Sequence, residues 1–126
     1  MKTQLSILGA LLLLTSCASG PVDIPDDMTP AKIIQNAQAA TDVNNYKRAL
    51  QYYEALLERY GDVGEFLCTG KYEIAFIKYK QKKYAEARQG FEELLTRYAG
   101  PEGESLPPQF RVLAEKILSQ LAERGH

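Results

Sequence analysis

The stretch NYKRALQYYEALLERY at 45–60 returns 38 positions later as KYAEARQGFEELLTRY at 83–98. Tyr46, Ala49, Gln51, Glu54, Leu56, Leu57, Arg59 and Tyr60 recur as Tyr84, Ala87, Gln89, Glu92, Leu94, Leu95, Arg97 and Tyr98, and Tyr53 answers to Phe91. Self-similarity at this period is the mark of stacked supersecondary units, each leaving an apolar face that only its neighbour can cover. Any fold for this chain must therefore place two similar units side by side.

The apolar residues inside each unit set the type of element. Tyr46, Ala49, Leu50, Tyr53, Leu56, Leu57 and Tyr60 follow the three-and-four rhythm of an amphipathic helix, as do their counterparts. A second helix precedes each. Residues 30–41 start with Thr29 as N-cap and Pro30 at the first helical position, and residues 67–81 follow the break Gly61-Asp62-Val63-Gly64. The expected fold is all-α: two helical hairpins, about 30–60 and 67–98, on which Ala37 and Ala75 fall at the same offset. After Tyr98 the stretch AGPEGESLPP cannot continue a helix. A last helix is expected over 109–124, with Phe110, Leu113, Ala114, Ile117, Leu118 and Leu121 on one side and Gly125 as its stop. Two repeats are fewer than the three that usually suffice, so this helix should act as a cap.

Ala37, Tyr46, Ala49 and Tyr53, then Ala75, Tyr84, Ala87 and Phe91, resemble the pattern of the tetratricopeptide repeat (TPR) family: a small residue in helix A, then an aromatic, a small and a bulky aromatic residue in helix B. Small residues let paired helices approach, and the aromatics fill the space above them. The resemblance covers residues 30–98 and implies a short α-solenoid that binds other proteins. The family period is about 34 residues, so the longer spacing predicts some four extra residues in the connection around 61–66. Departures are Ile33 and Lys71, where a large aromatic is usual, and Gly61 and Gly100 near the place of the family's terminal proline; they predict irregular stacking.

Ahead of the repeats, Met1-Lys2 is followed by an apolar run over 5–14 and then Leu14-Thr15-Ser16-Cys17. The run is about half the roughly twenty residues that a membrane-crossing helix needs, and it has the layout of an export signal. Leu14-Thr15-Ser16-Cys17 looks like the bacterial lipobox. The resemblance implies a signal peptide over 1–16, cleavage before Cys17, and a lipid on the Cys17 thiol, whose nucleophilicity as a thiolate a serine would lack. Two or three acyl chains make release from a membrane very slow. Ala18, where Asp would signal inner-membrane retention in proteobacteria, implies the outer membrane facing the periplasm. Residues 17–29, with Gly, two Pro and three Asp after the cysteine, are expected to be a flexible solvated tether, leaving 30–126 as the folded domain.

With 15 Lys and Arg against 16 Asp and Glu, the chain has no field that would gather nucleic acid. If Cys17 carries lipid, Cys68 has no disulfide partner and is expected to be a small buried apolar side chain. The single histidine, His126, is the last residue and is expected to fray, so no triad or histidine metal site can form within the domain. Phosphate-loop, GxGxxG, CxxC and HExxH motifs do not occur. These features argue against an enzyme, and neither a cofactor nor a metal is expected.

Two surface features remain. Lys78, Lys80, Lys82 and Lys83 crowd a helix end, where the helix dipole favours cations. Tyr72, Phe76 and Tyr79 form a stripe on the first helix of the second unit. By the family's register this stripe lines the concave groove, making Tyr72, Phe76, Tyr79 and Lys80 the candidate partner-binding residues; as a sequence pattern in so short an array it reads more readily as core covered by the last helix. The expected function is that of a membrane-anchored adaptor binding envelope proteins, with a narrower likeness to the TPR lipoproteins of outer-membrane assembly and the Tol system. The alternative is a lipoprotein that binds a small ligand or cell-wall sugar in an aromatic pocket.

Overall fold

The computed structural model describes residues 20–126; the expected signal segment, the lipobox-like motif and Cys17 lie outside the described residues. Five helices follow in order: α1 (Pro30–Asp42), α2 (Tyr46–Tyr60), α3 (Gly64–Lys80), α4 (Tyr84–Ala99) and α5 (Pro108–Glu123), with a 3-10 turn at Gly103–Ser105 before α5. No strand occurs among the described residues. Each helix packs mainly on the next in sequence, so α1 and α5 lie at opposite ends of the stack.

Local chemistry explains the starts of the first hairpin's two helices. The Thr29 hydroxyl accepts from the Lys32 amide at 3.3 Å, with Pro30 opening α1. Asn45 does the same for α2, accepting from Arg48 at 3.2 Å. Both hairpins then turn in the same way, though their turn sequences differ. Asn44 and Lys82, 38 positions apart, have φ of 57° and 61°. The amide of Asn45 reaches Ala40 O at 2.8 Å and that of Lys83 reaches Lys78 O at 2.9 Å, while Asn44 bonds Thr41 and Lys82 bonds Tyr79. These are Schellman-type closures, which satisfy the last carbonyls of a helix through one left-handed residue. The repeat is thus reproduced down to individual backbone hydrogen bonds.

The connection between hairpins corrects the sequence reading. α3 begins at Gly64, three residues before the expected start, and only Gly61–Val63 join α2 to it. The four extra residues of the period lie inside α3, which has 17 residues against 13 in α1. Phe66 supplies the reason: its ring meets Tyr60 edge-on at 6.1 Å, and that contact is made from a helical first turn.

Two apolar cores form, and α3 feeds both. The first gathers Ile33, Ala37, Tyr53 and Leu56 with Ile77 from α3. The second gathers Phe91, Leu94, Ala114 and Leu121 with Cys68 and Tyr72 from α3. Small residues set the helix spacing: a Cβ on Gly90 would stand 2.9 Å from the Cβ of Ala75, and one on Gly70 would strike the Leu57 side chain. Cys68 is free and buried.

Residues 22–28 correct the expectation of a free tether. Val22, Ile24 and Met28 pack against the first core. The Val22 amide donates to Gln51 Oε1 at 2.7 Å, Arg59 donates to the carbonyls of Ile24 and Pro25 at 2.8 and 2.7 Å, and the Tyr60 hydroxyl donates to Met28 O at 3.0 Å. This strap covers apolar surface of the first core that, among the described residues, no further helix pair covers. Apolar side chains at alternate positions, Val22 and Ile24, make it an extended cap.

α5 caps the other end, chiefly against α4. Ala114, Ile117 and Leu121 are buried and Phe110 and Leu118 partly so, as expected; Leu113, expected on the same side, is 40% exposed. By helical spacing Leu113 lies at the edge of the buried stripe, on the flank that also carries Arg124.

Candidate functional site

The aromatic residues of α3 belong to a longer ladder. Tyr72 stacks on Phe76 at 5.9 Å and 11°, and Phe76 on Tyr79 at 6.0 Å and 21°. Tyr79 leans on Tyr84 at 5.9 Å, and Tyr84 on His126 at 4.3 Å. At the other end Tyr72 meets Phe110 at 5.7 Å and Phe91 at 5.6 Å. Six rings, from Phe110 through Tyr72, Phe76, Tyr79 and Tyr84 to His126, thus run along α3. The spacing of four and three residues on one helix places the middle rings in contact; the hairpin turn brings in Tyr84, and the two ends of the α5 region supply Phe110 and His126.

This arrangement separates the four candidate residues. Tyr72 is buried between Phe91 and Phe110, so its ring belongs to the core. Phe76 and Tyr79 are half-buried against that core and keep an accessible face, and Lys80 is exposed one turn beyond Phe76. α5 meets this row at both ends, through Phe110 on Tyr72 and through Arg124, which donates to the Tyr79 hydroxyl at 3.4 Å. On α5, Leu113 is 40% exposed and by helical spacing lies on the flank that leads to Arg124. The row has what protein interfaces use: rigid aromatic rings and cations at the rim.

The other lysines divide. Lys78 pairs with Glu86 at 3.3 Å on a different face, where an open cleft of about 330 Å³ is floored by Leu57, Ile74, Ala75 and Gly90. Gly90, which stands where the first repeat has Tyr52, lines this cleft. The cleft contains none of the three stripe aromatics. Lys80, Lys82 and Lys83 are exposed.

His126 corrects another expectation. Its amide bonds to Leu121 O at 2.9 Å and its ring lies on Tyr84, so the chain end is tied down. Among the described residues, no three His, Cys, Asp or Glu side chains converge on a metal-sized site. None of the described helices is long and apolar enough to cross a membrane.

Glu73, which the sequence reading passed over, is the electrostatic anomaly of α3. Burial pushes its carboxyl up from the usual carboxylate range. Burial, then the Glu73 charge, also raises the phenols of Tyr53 and Tyr72. A carboxyl whose pKa is higher folded than unfolded binds more protons in the folded state, so stability falls as pH rises from the unfolded value through the folded one. Glu73→Gln should therefore raise the Tm at pH 7, and the gain should vanish below pH ~4, beneath the unfolded carboxylate value of about 4.3. Thermal melts of both proteins at the two pH values test this; an equal shift at both would mean that charge is not the cause.

The fold defines a class: an all-helical protein of helix pairs packed one on the next, closed at both ends by non-repeat segments. Comparison with known proteins adds one relative. The chain is similar to a protein of Treponema pallidum (strain Nichols) described as uncharacterized, 29% identical over 123 residues. The match takes in 96% of this chain and 49% of the relative, so the chain spans about half the length of the curated protein it matches. No protein-family model and no solved structure matches the chain.

Proposed function

We propose that the protein is a bacterial envelope lipoprotein, anchored through lipid on Cys17, whose helical repeats form a TPR-type adaptor that holds another envelope protein. Supporting the anchor is Leu14-Thr15-Ser16-Cys17 at the end of a ten-residue, mainly apolar run whose last residue is Leu14. The repeat reading is supported by two hairpins with matching turns and by small residues where paired helices touch. The observation that carries the binding role is the accessible side of Phe76 and Tyr79, stacked, fixed at both ends and flanked by Lys80. Aromatic anchors of this kind dominate binding at protein interfaces. The partner segment would present apolar side chains to the rings and an acidic group to Lys80, from the periplasmic side of the outer membrane.

Crosslinking and pull-down from intact envelopes test the reading. Tyr72 must be left in place because it is core. A Phe76→Ala, Tyr79→Ala, Lys80→Ala variant of unchanged helicity should recover at least about tenfold less of the specific partner, since each tenfold corresponds to only about 1.4 kcal/mol. Failure of the native protein to recover a recurring partner would sink the adaptor role. The anchor has its own test: palmitate incorporation in the host, abolished by Cys17→Ser.

A further inference from the structure

Whatever the partner, residues 22–28 constrain where the domain can sit. The strap follows α2 from Gln51, which takes the Val22 amide, to Arg59 and Tyr60, which hold the carbonyls of Ile24, Pro25 and Met28. Arg59 lies also 3.8 Å from the Asp26 carboxylate. The chain therefore leaves the folded body beside Gln51, not at Thr29 where α1 begins. Pro21 shares a shallow surface depression with Lys47, Leu50, Gln51 and Glu54.

Only residues 18–21 separate Cys17 from the first docked residue, Val22. Five Cα steps at about 3.3–3.6 Å each span no more than ~18 Å. Were residues 17–29 free, the twelve steps to Thr29 would span about 40 Å by the same measure. Docking of the strap more than halves the reach.

Resting on the lipoprotein reading above, we propose that the strap holds the domain against its own bilayer, with the amino-terminal half of α2 as the lipid-facing edge. Lys47 and Arg48 are exposed at that edge and suit an anionic headgroup layer. The stack runs from α1–α2 to α5, so α5 is the element farthest along it. The domain acts close to its anchor and does not range through the periplasm.

The test uses the acylated protein, extracted with its own lipid and reconstituted into phosphatidylethanolamine–phosphatidylglycerol vesicles carrying a headgroup energy-transfer acceptor. Acylated Cys17 and buried Cys68 leave an introduced thiol as the reactive one. A fluorophore at Glu54→Cys on α2 should transfer energy at least about twice as efficiently as one at Glu115→Cys on α5. Inserting twelve Gly/Ser residues between Gly20 and Pro21 should remove most of that difference, and so should Gln51→Ala with Arg59→Ala, which release the strap. Equal transfer from both positions in the native chain, or a difference that survives the insertion, would overturn the proposal. Palmitate incorporation distinguishes the two failures. If Cys17 is acylated and the two positions transfer equally, the fixed placement falls while the lipoprotein reading stands; if Cys17 carries no lipid, both fall.

Discussion

A chain ending at Ser105 should lose its cooperative thermal transition. Its remaining helices α1–α4 keep both hairpins, but α5 supplies Ala114, Ile117 and Leu121 to the second core, and Leu106 and the partly buried Phe110 and Leu118 go with it. Their loss bares Phe91, Leu94 and one face of Tyr72. Fully burying an aliphatic or aromatic side chain contributes about 1.5–3 kcal/mol, and a domain of this size has about 5–15 kcal/mol in all. Several such losses together exceed what two hairpins can withstand, as expected for a stack below three repeats. Circular dichroism melts check this, with Leu121→Ala as the milder comparison, expected to cost about 2–5 kcal/mol and to keep a sharp transition. A truncated chain that melts as sharply as the full one would show that the two hairpins stand alone.

Phe91→Ala should cost about 3–5 kcal/mol. The ring is fully buried, touches Tyr72 at 5.6 Å and sits where α3, α4 and α5 converge. Removing it leaves a cavity that fixed helices cannot close, because Gly90 and Ala75 already hold α3 and α4 at close approach. Denaturant unfolding should show a lower midpoint with an unchanged slope, the sign of lost stability without a changed folded surface. A cost under about 1 kcal/mol would mean that the site collapses freely and that the second core is not close-packed.

The matching pattern of Tyr53 and Phe91 made this core visible in the sequence, because both fall at the centre of a helical stripe that recurs 38 residues apart. Recurrence cannot report asymmetry. Tyr52 and Gly90 occupy equivalent places, yet one is a buried core ring and the other lines an open cleft. Nor did it report the turn: Asn44 and Lys82 differ in type yet share a left-handed backbone, which the hairpin imposes on whichever residue stands there. Leu113 shows the limit of periodicity. A helical stripe names the residues able to face a core, but its width is set by how much of the stripe the neighbouring helices cover.

The candidate site was legible in part. Tyr72, Phe76 and Tyr79 read as one stripe by spacing alone, since three and four residues on a helix are one turn. Separating core from surface within that stripe depended on Phe110, which lies 38 residues beyond Tyr72 and meets it only when α5 folds back on α3. Tyr84, His126 and Arg124 join the face through the same return of the chain. The raised carboxyl of Glu73 likewise depends on burial between helices that its sequence neighbours do not disclose.

By itself the sequence determined the helical class, the two repeats, the N-cap of α1 and the sixteen-residue amphipathic helix that closes the second core. All of these rest on local preferences or on periodicity along one segment, which the order of residues states directly. Only the tertiary structure decided that residues 22–28 are a cap and not a tether, where the extra residues of the repeat go, and which rings of the stripe meet solvent. Each of those outcomes is a competition for the same apolar surface between segments far apart in the chain, and only their packing in space settles it.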